Sequence, residues 1–208
     1  MKKIILSGLA LGFAALLIYS GRQAWRACGD YRAEAQVHGS VMEYKPQDDE
    51  AVNWAVIGLR EKYPDAVGWL TVPGTNIDYP FVWYEDNDYY LRRDLNGEPA
   101  KPGTIFMDYR CAGDGSGYSI IYGHNMKSGA MFGTLGRFED KAFFDAHPEG
   151  YILFEDGWHT IQFTDFLIVR EDDSTVYSVP EGADRTVALS TCSYAFQGAR
   201  MVLLGKII

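Results

Sequence analysis

The apolar run Val187-Ala188-Leu189-Ser190-Thr191-Cys192 predicts a buried strand that ends in a cysteine. A second run, Arg200-Met201-Val202-Leu203-Leu204-Gly205-Lys206-Ile207-Ile208, predicts the strand that follows it. Upstream, the apolar run Tyr118-Ser119-Ile120-Ile121-Tyr122 leads directly into Gly123-His124. One cysteine, one arginine and one histidine therefore stand at or near the ends of three predicted strands.

The rest of the chain also predicts mostly short strands. A hairpin is expected where strands at 67–72 and 77–82 flank the turn sequence Pro73-Gly74-Thr75-Asn76. Further strands are predicted at 103–107, 151–154 and 160–169. Helical spacing predicts one helix over 48–63, ended by Pro64, and short helices over 131–138 and 141–146. Many short strands separated by Gly, Pro and Asp favour a mainly β protein with a closed or nearly closed barrel.

Composition excludes several classes of function. The chain has 208 residues, 47% of them hydrophobic and 14% aromatic, so it is long and apolar enough to fold around a core. The formal net charge of −9 argues against a nucleic-acid partner, which would require clustered Lys and Arg. Three cysteines (Cys28, Cys111 and Cys192) without a Cys-x-x-Cys pair argue against a disulfide framework and a structural zinc site. No cofactor is expected.

The N-terminus predicts a membrane anchor. Lys2-Lys3 precedes an uncharged stretch at 4–21, whose 18 residues are just enough for a spanning helix. A cleaved signal peptide is the alternative. We predict an anchor at 1–21, a juxtamembrane stalk at 22–46 and a catalytic domain at 47–208. The short N-terminal tail leaves the function to the large C-terminal part, which we expect outside the cell on a single-pass anchor.

The three polar residues at the strand ends suit acyl transfer through a thiolate. A cysteine is the nucleophile once ionised, a histidine serves as base and then acid, and an arginine stabilises the developing oxyanion. Cys192 and Arg200 have seven residues between them, and a loop of that length can bring both to the same end of a barrel. Taken alone, each residue could equally be structural, as we expect for His38, His147 and His159.

The combination resembles the sortases, which are membrane-anchored cysteine transpeptidases of Gram-positive bacteria. Leu189-Ser190-Thr191-Cys192 is similar to the family's cysteine signature, and Tyr122-Gly123-His124-Asn125-Met126 to its histidine segment. The resemblance is greatest to class B. The segment Asn76-Ile77-Asp78-Tyr79-Pro80-Phe81-Val82 resembles the early strands of that class. It implies a sortase-type closed β-barrel of about eight strands with an N-terminal helix and short peripheral helices, preceded by one transmembrane helix.

The resemblance also implies the roles of individual residues. Cys192 would attack the carbonyl of a threonine in a C-terminal sorting motif, with His124 as general acid/base and Arg200 stabilising the oxyanion or holding the substrate backbone. An amine of a cell-wall precursor or of a pilin would resolve the thioester and receive the surface protein. Tyr122, Ser190 and Thr191 border these positions and would bind substrate.

Two alternatives remain open at this point. Water could resolve the thioester, which would make the chain a hydrolytic cysteine peptidase with the same three residues. Alternatively, Cys192 could be a core residue of a non-catalytic, membrane-tethered binding module. The chain also departs from class B, because its segment 170–185 is short and rich in turn residues where that class has a long helix. Since that helix helps to shape the sorting-motif pocket, the motif is left open.

Overall fold

The computed structural model describes residues 12–25, 29, 39, 41–45 and 52–208. Positions 12–25 and 29 belong to one compact unit, and the described residues from 39 onward belong to a second. In the first unit, 12–25 is helical. No helix within the described residues has both the length and the apolar character that a membrane span needs. The predicted anchor begins outside these residues and stays a prediction, as do the stalk and the domain boundaries.

The second unit is a closed barrel of eight strands, which confirms the predicted mainly β fold. The strands are β1 (Ala66–Val72), β2 (Ile77–Trp83), β3 (Ile105–Met107), β4 (Tyr118–Tyr122), β5 (Glu149–Phe154), β6 (Gly157–Arg170), β7 (Thr186–Cys192) and β8 (Ala199–Ile207). Their order around the barrel is β1-β2-β3-β4-β7-β8-β6-β5, and β5 pairs with β1 to close it. The β2–β3 and β4–β7 pairs are parallel and the others antiparallel.

From residue 52 onward, the helices are short and peripheral. They are α1 (Val52–Lys62), α2 (Lys141–Ala146), α3 (Ser174–Tyr177) and two 3-10 helices at Tyr89–Arg92 and Leu135–Glu139. The first predicted helix is confirmed over α1 and ends before Pro64, whose ring excludes helical geometry from the residue before it. Asp140 caps α2 by accepting hydrogen bonds from the next turn's backbone amides.

The helix predicted over 131–138 is wrong in its first half. Met131 has a φ of 52°, the left-handed conformation that interrupts a right-handed helix. It is held there because it forms an isolated β-bridge with Asn125 and donates its backbone N–H to the Tyr79 hydroxyl. Helical geometry therefore begins only at Leu135.

Two apolar clusters stabilise the barrel. The larger one fills the interior, where residues such as Leu70, Phe81 and Leu189 are fully buried. The second lies between the barrel wall and α1, which buries Val56 and Leu59 against side chains from neighbouring strands. Both clusters draw on the same strands because successive side chains of a strand point to opposite faces of the sheet.

The segment 41–45, within the predicted stalk, packs against the barrel. Val41 is buried in the second apolar cluster. The Lys45 ammonium lies 2.7 Å from a carboxylate oxygen of Asp78 on β2, and the indole of Trp69 donates to the other oxygen. The chain is thus fixed to the barrel just before the helix that covers its wall.

The connection from β6 to β7 is short, as predicted. Between Arg170 and Thr186 it holds only the four-residue helix α3, which Asp173 caps. No long helix covers the end of the barrel at this place, within a segment that is described throughout. This end of the barrel carries the candidate site.

Candidate active site

Three neighbouring strands, β4, β7 and β8, bring the predicted reactive residues side by side. Tyr122 on β4 lies opposite Ser190 on β7 in the parallel ladder, so continuing two residues along each chain brings His124 level with Cys192. The antiparallel β7–β8 ladder ends with Cys192 opposite Arg200. The three residues therefore form one row across the sheet at a single end of the barrel.

Cys192 is exposed and lies beside a cation. The Nη1 group of Arg200 donates a hydrogen bond to Cys192 Sγ over 3.1 Å. The Nη2 group of the same guanidinium donates to Oε2 of Glu171 over 2.8 Å. The other described cysteine differs in both respects, since Cys111 is only 3% exposed and burial raises the pKa of its thiol to about 11. Of the two, Cys192 has the environment of a reactive thiol.

His124 is held at its ring and at its backbone. The imidazole Nε2 lies 2.8 Å from the Leu91 carbonyl oxygen, which can only accept, so Nε2 carries a proton in this bond. Nδ1 is then the basic nitrogen of the neutral ring. The His124 carbonyl accepts from the Phe132 amide, which closes the loop that follows. Gly123 makes this possible, because a side-chain carbon there would lie 2.8 Å from the Phe132 ring.

Hydrogen bonds join the segment after β4 to the end of β7. Asn125 Nδ2 donates to the Cys192 carbonyl over 2.8 Å, and the Thr191 hydroxyl donates to the Gly123 carbonyl over 2.7 Å. The Gly123 amide donates to the Ser190 carbonyl over 3.2 Å. The histidine-bearing loop and the cysteine-bearing strand end are therefore fixed relative to each other through their backbones.

One cavity of about 730 Å³, hereafter the groove, joins these residues. Its lining includes all six site residues predicted from the sequence: Tyr122, His124, Ser190, Thr191, Cys192 and Arg200. Ser190 and Thr191 are 1% and 3% exposed. Their hydroxyl groups are engaged within the protein, Ser190 with the Tyr177 hydroxyl at 2.8 Å and Thr191 as described above. These two residues lie in the wall of the groove, with little surface of their own.

A buried carboxylate supports the groove from below. Asp108 is fully buried and accepts two hydrogen bonds from the Arg110 guanidinium, at 2.7 and 2.8 Å. It also accepts from the Tyr122 hydroxyl at 3.0 Å and from Asn87 Nδ2 at 3.1 Å. Burial alone would raise the pKa of Asp108, but the bonds from Arg110 and Tyr122 outweigh it and hold that pKa below its usual range. Burial, with the neighbouring carboxylate, raises the pKa of Tyr122, so its hydroxyl stays a donor.

Replacing Asp108 by asparagine should remove an acid-sensitive part of the stability. A carboxylate whose pKa is lowered by folding stabilises the protein above its unfolded pKa of about 3.9, and this contribution is lost as pH falls through the lower folded value. At pH 7 we expect Asp108→Asn to cost about 2 kcal/mol of unfolding free energy. Thermal midpoints of the two proteins, measured from pH 7 to 2, should converge below about pH 4.

The matched control for this prediction is Asp145→Asn. Asp145 is an exposed carboxylate that pairs with Lys141 one turn away on α2, where such pairs contribute little. Its midpoint should follow that of the parent protein. Midpoints of Asp108→Asn that stay parallel to the parent's down to pH 2 would contradict the assignment.

Several functional contacts escape sequence reasoning. Glu171 and Asn125 touch the site residues from loops and Tyr177 does so from the short helix α3, and none of the three has a role predicted from the sequence. The pair Asp108-Tyr109-Arg110 does carry a signal, because an acid and a base two residues apart directly follow a predicted strand.

His147 and His159, the other two histidines that the structure describes, do not line the groove. His147 stacks on Phe143 with ring centres 4.1 Å apart, and His159 lies 2.8 Å from Asp156. His38 and Cys28 lie outside the described residues. Within the described part of the chain, no group of three or more His, Cys, Asp or Glu side chains is placed to hold a metal ion.

A thiol, an imidazole and a guanidinium line one groove at the end of a closed barrel. These features define a β-barrel protein whose candidate active site contains a cysteine. The family profile described as the Sortase domain matches residues 70–208. Sortase B of Listeria monocytogenes is 35% identical over 178 residues, covering 72% of either chain. The chain belongs to the sortase family.

Solved structures place it near class B. A mutant form of Clostridium perfringens sortase B superposes with a TM-score of 0.72 at 25% identity, covering 82% of this chain and 96% of that one. A Streptococcus pyogenes class B sortase involved in pilus biogenesis gives 0.64 at 30% identity, covering 73% and 97%. The protein is class B-like and, as a sortase, a cysteine transpeptidase. The alternative of a non-catalytic binding module is thereby excluded.

Proposed function

We propose that this sortase cleaves a C-terminal sorting motif after its threonine, through a thioester on Cys192, and transfers the protein to an amine. The observation that carries the proposal is the 3.1 Å contact between Arg200 Nη1 and Cys192 Sγ, in the groove that His124 also lines. A cation beside a sulfur favours the nucleophilic thiolate. The same guanidinium can donate to an oxyanion that forms at the attacked carbonyl.

The chemical steps follow from these groups. His124 accepts the thiol proton, and the Cys192 sulfur attacks the threonine carbonyl carbon to give a tetrahedral oxyanion beside Arg200. The scissile C–N bond then breaks, and His124 returns the proton to the leaving amine. An incoming amine attacks the thioester carbonyl and loses a proton to the imidazole; the C–S bond then breaks, and the Cys192 sulfur takes that proton from His124. The new amide bond completes the transfer.

Substrate contacts are proposed for the three residues that border this row. The hydroxyl of Tyr122 is bonded to Asp108, so its ring is the part that faces a bound peptide. Ser190 and Thr191, nearly buried with their hydroxyls engaged, shape the wall against which the threonine of the motif would lie. Their contribution would be packing and shape rather than hydrogen bonding.

Partners and location are part of the same proposal. The substrates would be surface proteins with a C-terminal sorting motif, and the acceptor an amine of the peptidoglycan precursor or of a pilin. The described involvement of the Streptococcus pyogenes relative in pilus biogenesis supports considering a pilin. The catalytic domain would act outside the cell, held at the membrane by the N-terminal segment.

A peptide-library assay with the full chain tests this function. Quenched peptides that contain threonine at a fixed position are incubated with and without an amine, and the products are identified by mass spectrometry. We expect cleavage after threonine and a ligated product that requires the amine. Cleavage that the amine leaves unchanged, with no ligated product, would instead support the hydrolytic peptidase.

A further inference from the structure

The first residue after β6 lies on the same face of the sheet as the reactive row. β6 is the other neighbour of β8, and its Val169 is opposite Arg200. The amide of Glu171 donates to the Gly198 carbonyl over 2.9 Å, which continues the ladder past the end of β6. Glu171 lies two residues beyond Val169, so its side chain points to the face that carries Arg200, at the diagonal position.

The Glu171 carboxylate and the Cys192 sulfur take different ends of one guanidinium. Arg200 donates from Nη2 to Glu171 over 2.8 Å and from Nη1 to Cys192 over 3.1 Å. The guanidinium is planar and rigid, so fixing the direction of one amino group fixes the direction of the other. The contact with Glu171 therefore sets where Nη1 points.

The loop before β8 leaves room for this carboxylate. Gly198 has a φ of 75°, and a side-chain carbon at that position would lie 3.3 Å from Oε1 of Glu171. A side chain there would be both strained and crowded against the carboxylate. Gly198 thus allows both the left-handed turn of the loop and the close approach of the Glu171 carboxylate.

Stability alone does not account for this pair. The side chains of Arg200 and Glu171 are 28% and 54% exposed, and ion pairs with that much exposure contribute at most about 1 kcal/mol. The pair's more specific consequence is the orientation of Arg200 toward the sulfur. Because the pair lies in the groove, the orientation of Arg200 can affect the reaction.

We propose that Glu171 is a positioning residue, whose carboxylate holds the Arg200 guanidinium with Nη1 directed at Cys192 Sγ and at the carbonyl oxygen bound there. This inference rests on the proposed function, in which Arg200 donates to the oxyanion. A guanidinium that is free to turn would still attract substrate but would stabilise the transition state less well. The effect should therefore fall on kcat rather than on KM.

Kinetics of Glu171 variants test the proposal in the full chain, with a peptide cleaved in the library assay. We expect Glu171→Ala to lower kcat about tenfold or more with little change in KM, because small misplacements of a catalytic group are costly. Glu171→Gln keeps an acceptor oxygen, so its kcat should lie between those of the parent protein and Glu171→Ala. Alkylation of Cys192 by iodoacetamide needs no peptide, and it should slow in Arg200→Ala, which removes the cation beside the sulfur.

Asp172→Ala is the matched control. It removes the same charge one residue along, from a carboxylate that is 3.0 Å from Arg170 Nε. Asp172 also faces the groove, so its loss can change KM, but kcat should stay well above that of Glu171→Ala. An equal loss of kcat in Glu171→Ala and Asp172→Ala would show that kcat depends on negative charge near the groove and not on the orientation of Arg200.

A double variant separates this inference from the function on which it rests. If Glu171 acts through Arg200, adding Glu171→Ala to Arg200→Lys should cost no further activity, whereas independent effects would add. Additive losses would overturn the positioning role. Loss of activity in Arg200→Lys with full activity in Glu171→Ala would refute this inference alone. Full activity in Arg200→Lys would refute the role proposed for Arg200, and this inference with it.

Discussion

Replacing Arg200 by lysine should lower kcat/KM by a factor of about 100 or more, the usual cost of losing one oxyanion donor. The guanidinium donates to two partners, to Cys192 at the end of β7 through Nη1 and to Glu171 just after β6 through Nη2. An ammonium is a point charge and does not reproduce that fork. The thermal midpoint should change by no more than about 2–4 °C, which corresponds to about 1 kcal/mol in a chain of this size.

Steady-state kinetics and thermal unfolding of the same preparations check this result. Arg170→Lys is the matched control, because Arg170 is an exposed arginine at the end of β6 whose partner is Asp172. It makes the same chemical change one strand away and should keep the parent's kinetics. An Arg200→Lys variant as active as its parent would remove Arg200 from the mechanism.

Replacing His124 by alanine should reduce turnover about 10³-fold or more while the barrel stays folded. General acid/base catalysis contributes factors of about 10²–10⁴, and among the described residues His124 is the histidine that lines the groove with Cys192. The structural cost is one half-buried hydrogen bond to the Leu91 carbonyl, worth about 1 kcal/mol. The midpoint should therefore fall by no more than about 2–4 °C.

Turnover and thermal unfolding of the His124→Ala variant distinguish an effect on catalysis from an effect on folding. His159→Ala is the control, since His159 pairs with Asp156 outside the groove and should be dispensable for activity. Residual activity of His124→Ala close to that of the parent would contradict the acid/base role. A large drop in midpoint would mean that the residue acts mainly on the fold.

Most of the strands were predictable because they are short apolar runs bounded by turn residues. β4 and α2 match their predicted ranges, and the hairpin β1–β2 differs at its ends by one residue. These elements depend on local signals: side-chain period, turn residues and a capping aspartate. The failed half-helix at 131–138 shows the limit, because the left-handed Met131 is fixed by contacts with Asn125 and Tyr79, which lie elsewhere in the chain.

The identities of the reactive residues were predictable from the sequence, but their arrangement in one row was not. Cys192 and Arg200 are close in sequence, so a tight antiparallel return could be expected. The parallel pairing that sets His124 level with Cys192 joins strands 68 residues apart, and no local pattern specifies such a register. Glu171 was missed for the same reason, since it reaches Arg200 diagonally from the position just past the end of β6. Pairing across distant strands depends on the whole barrel closing around its core.

The most direct measurement of the central claim is intact-protein mass spectrometry of the full chain during turnover of a cleaved peptide. We expect a mass increase equal to the acyl fragment, located on Cys192 by digestion, and its discharge into ligated product when an amine is added. The increase should be absent in Cys192→Ala. Ligated product formed by Cys192→Ala, or an acyl group located on another residue, would contradict the account.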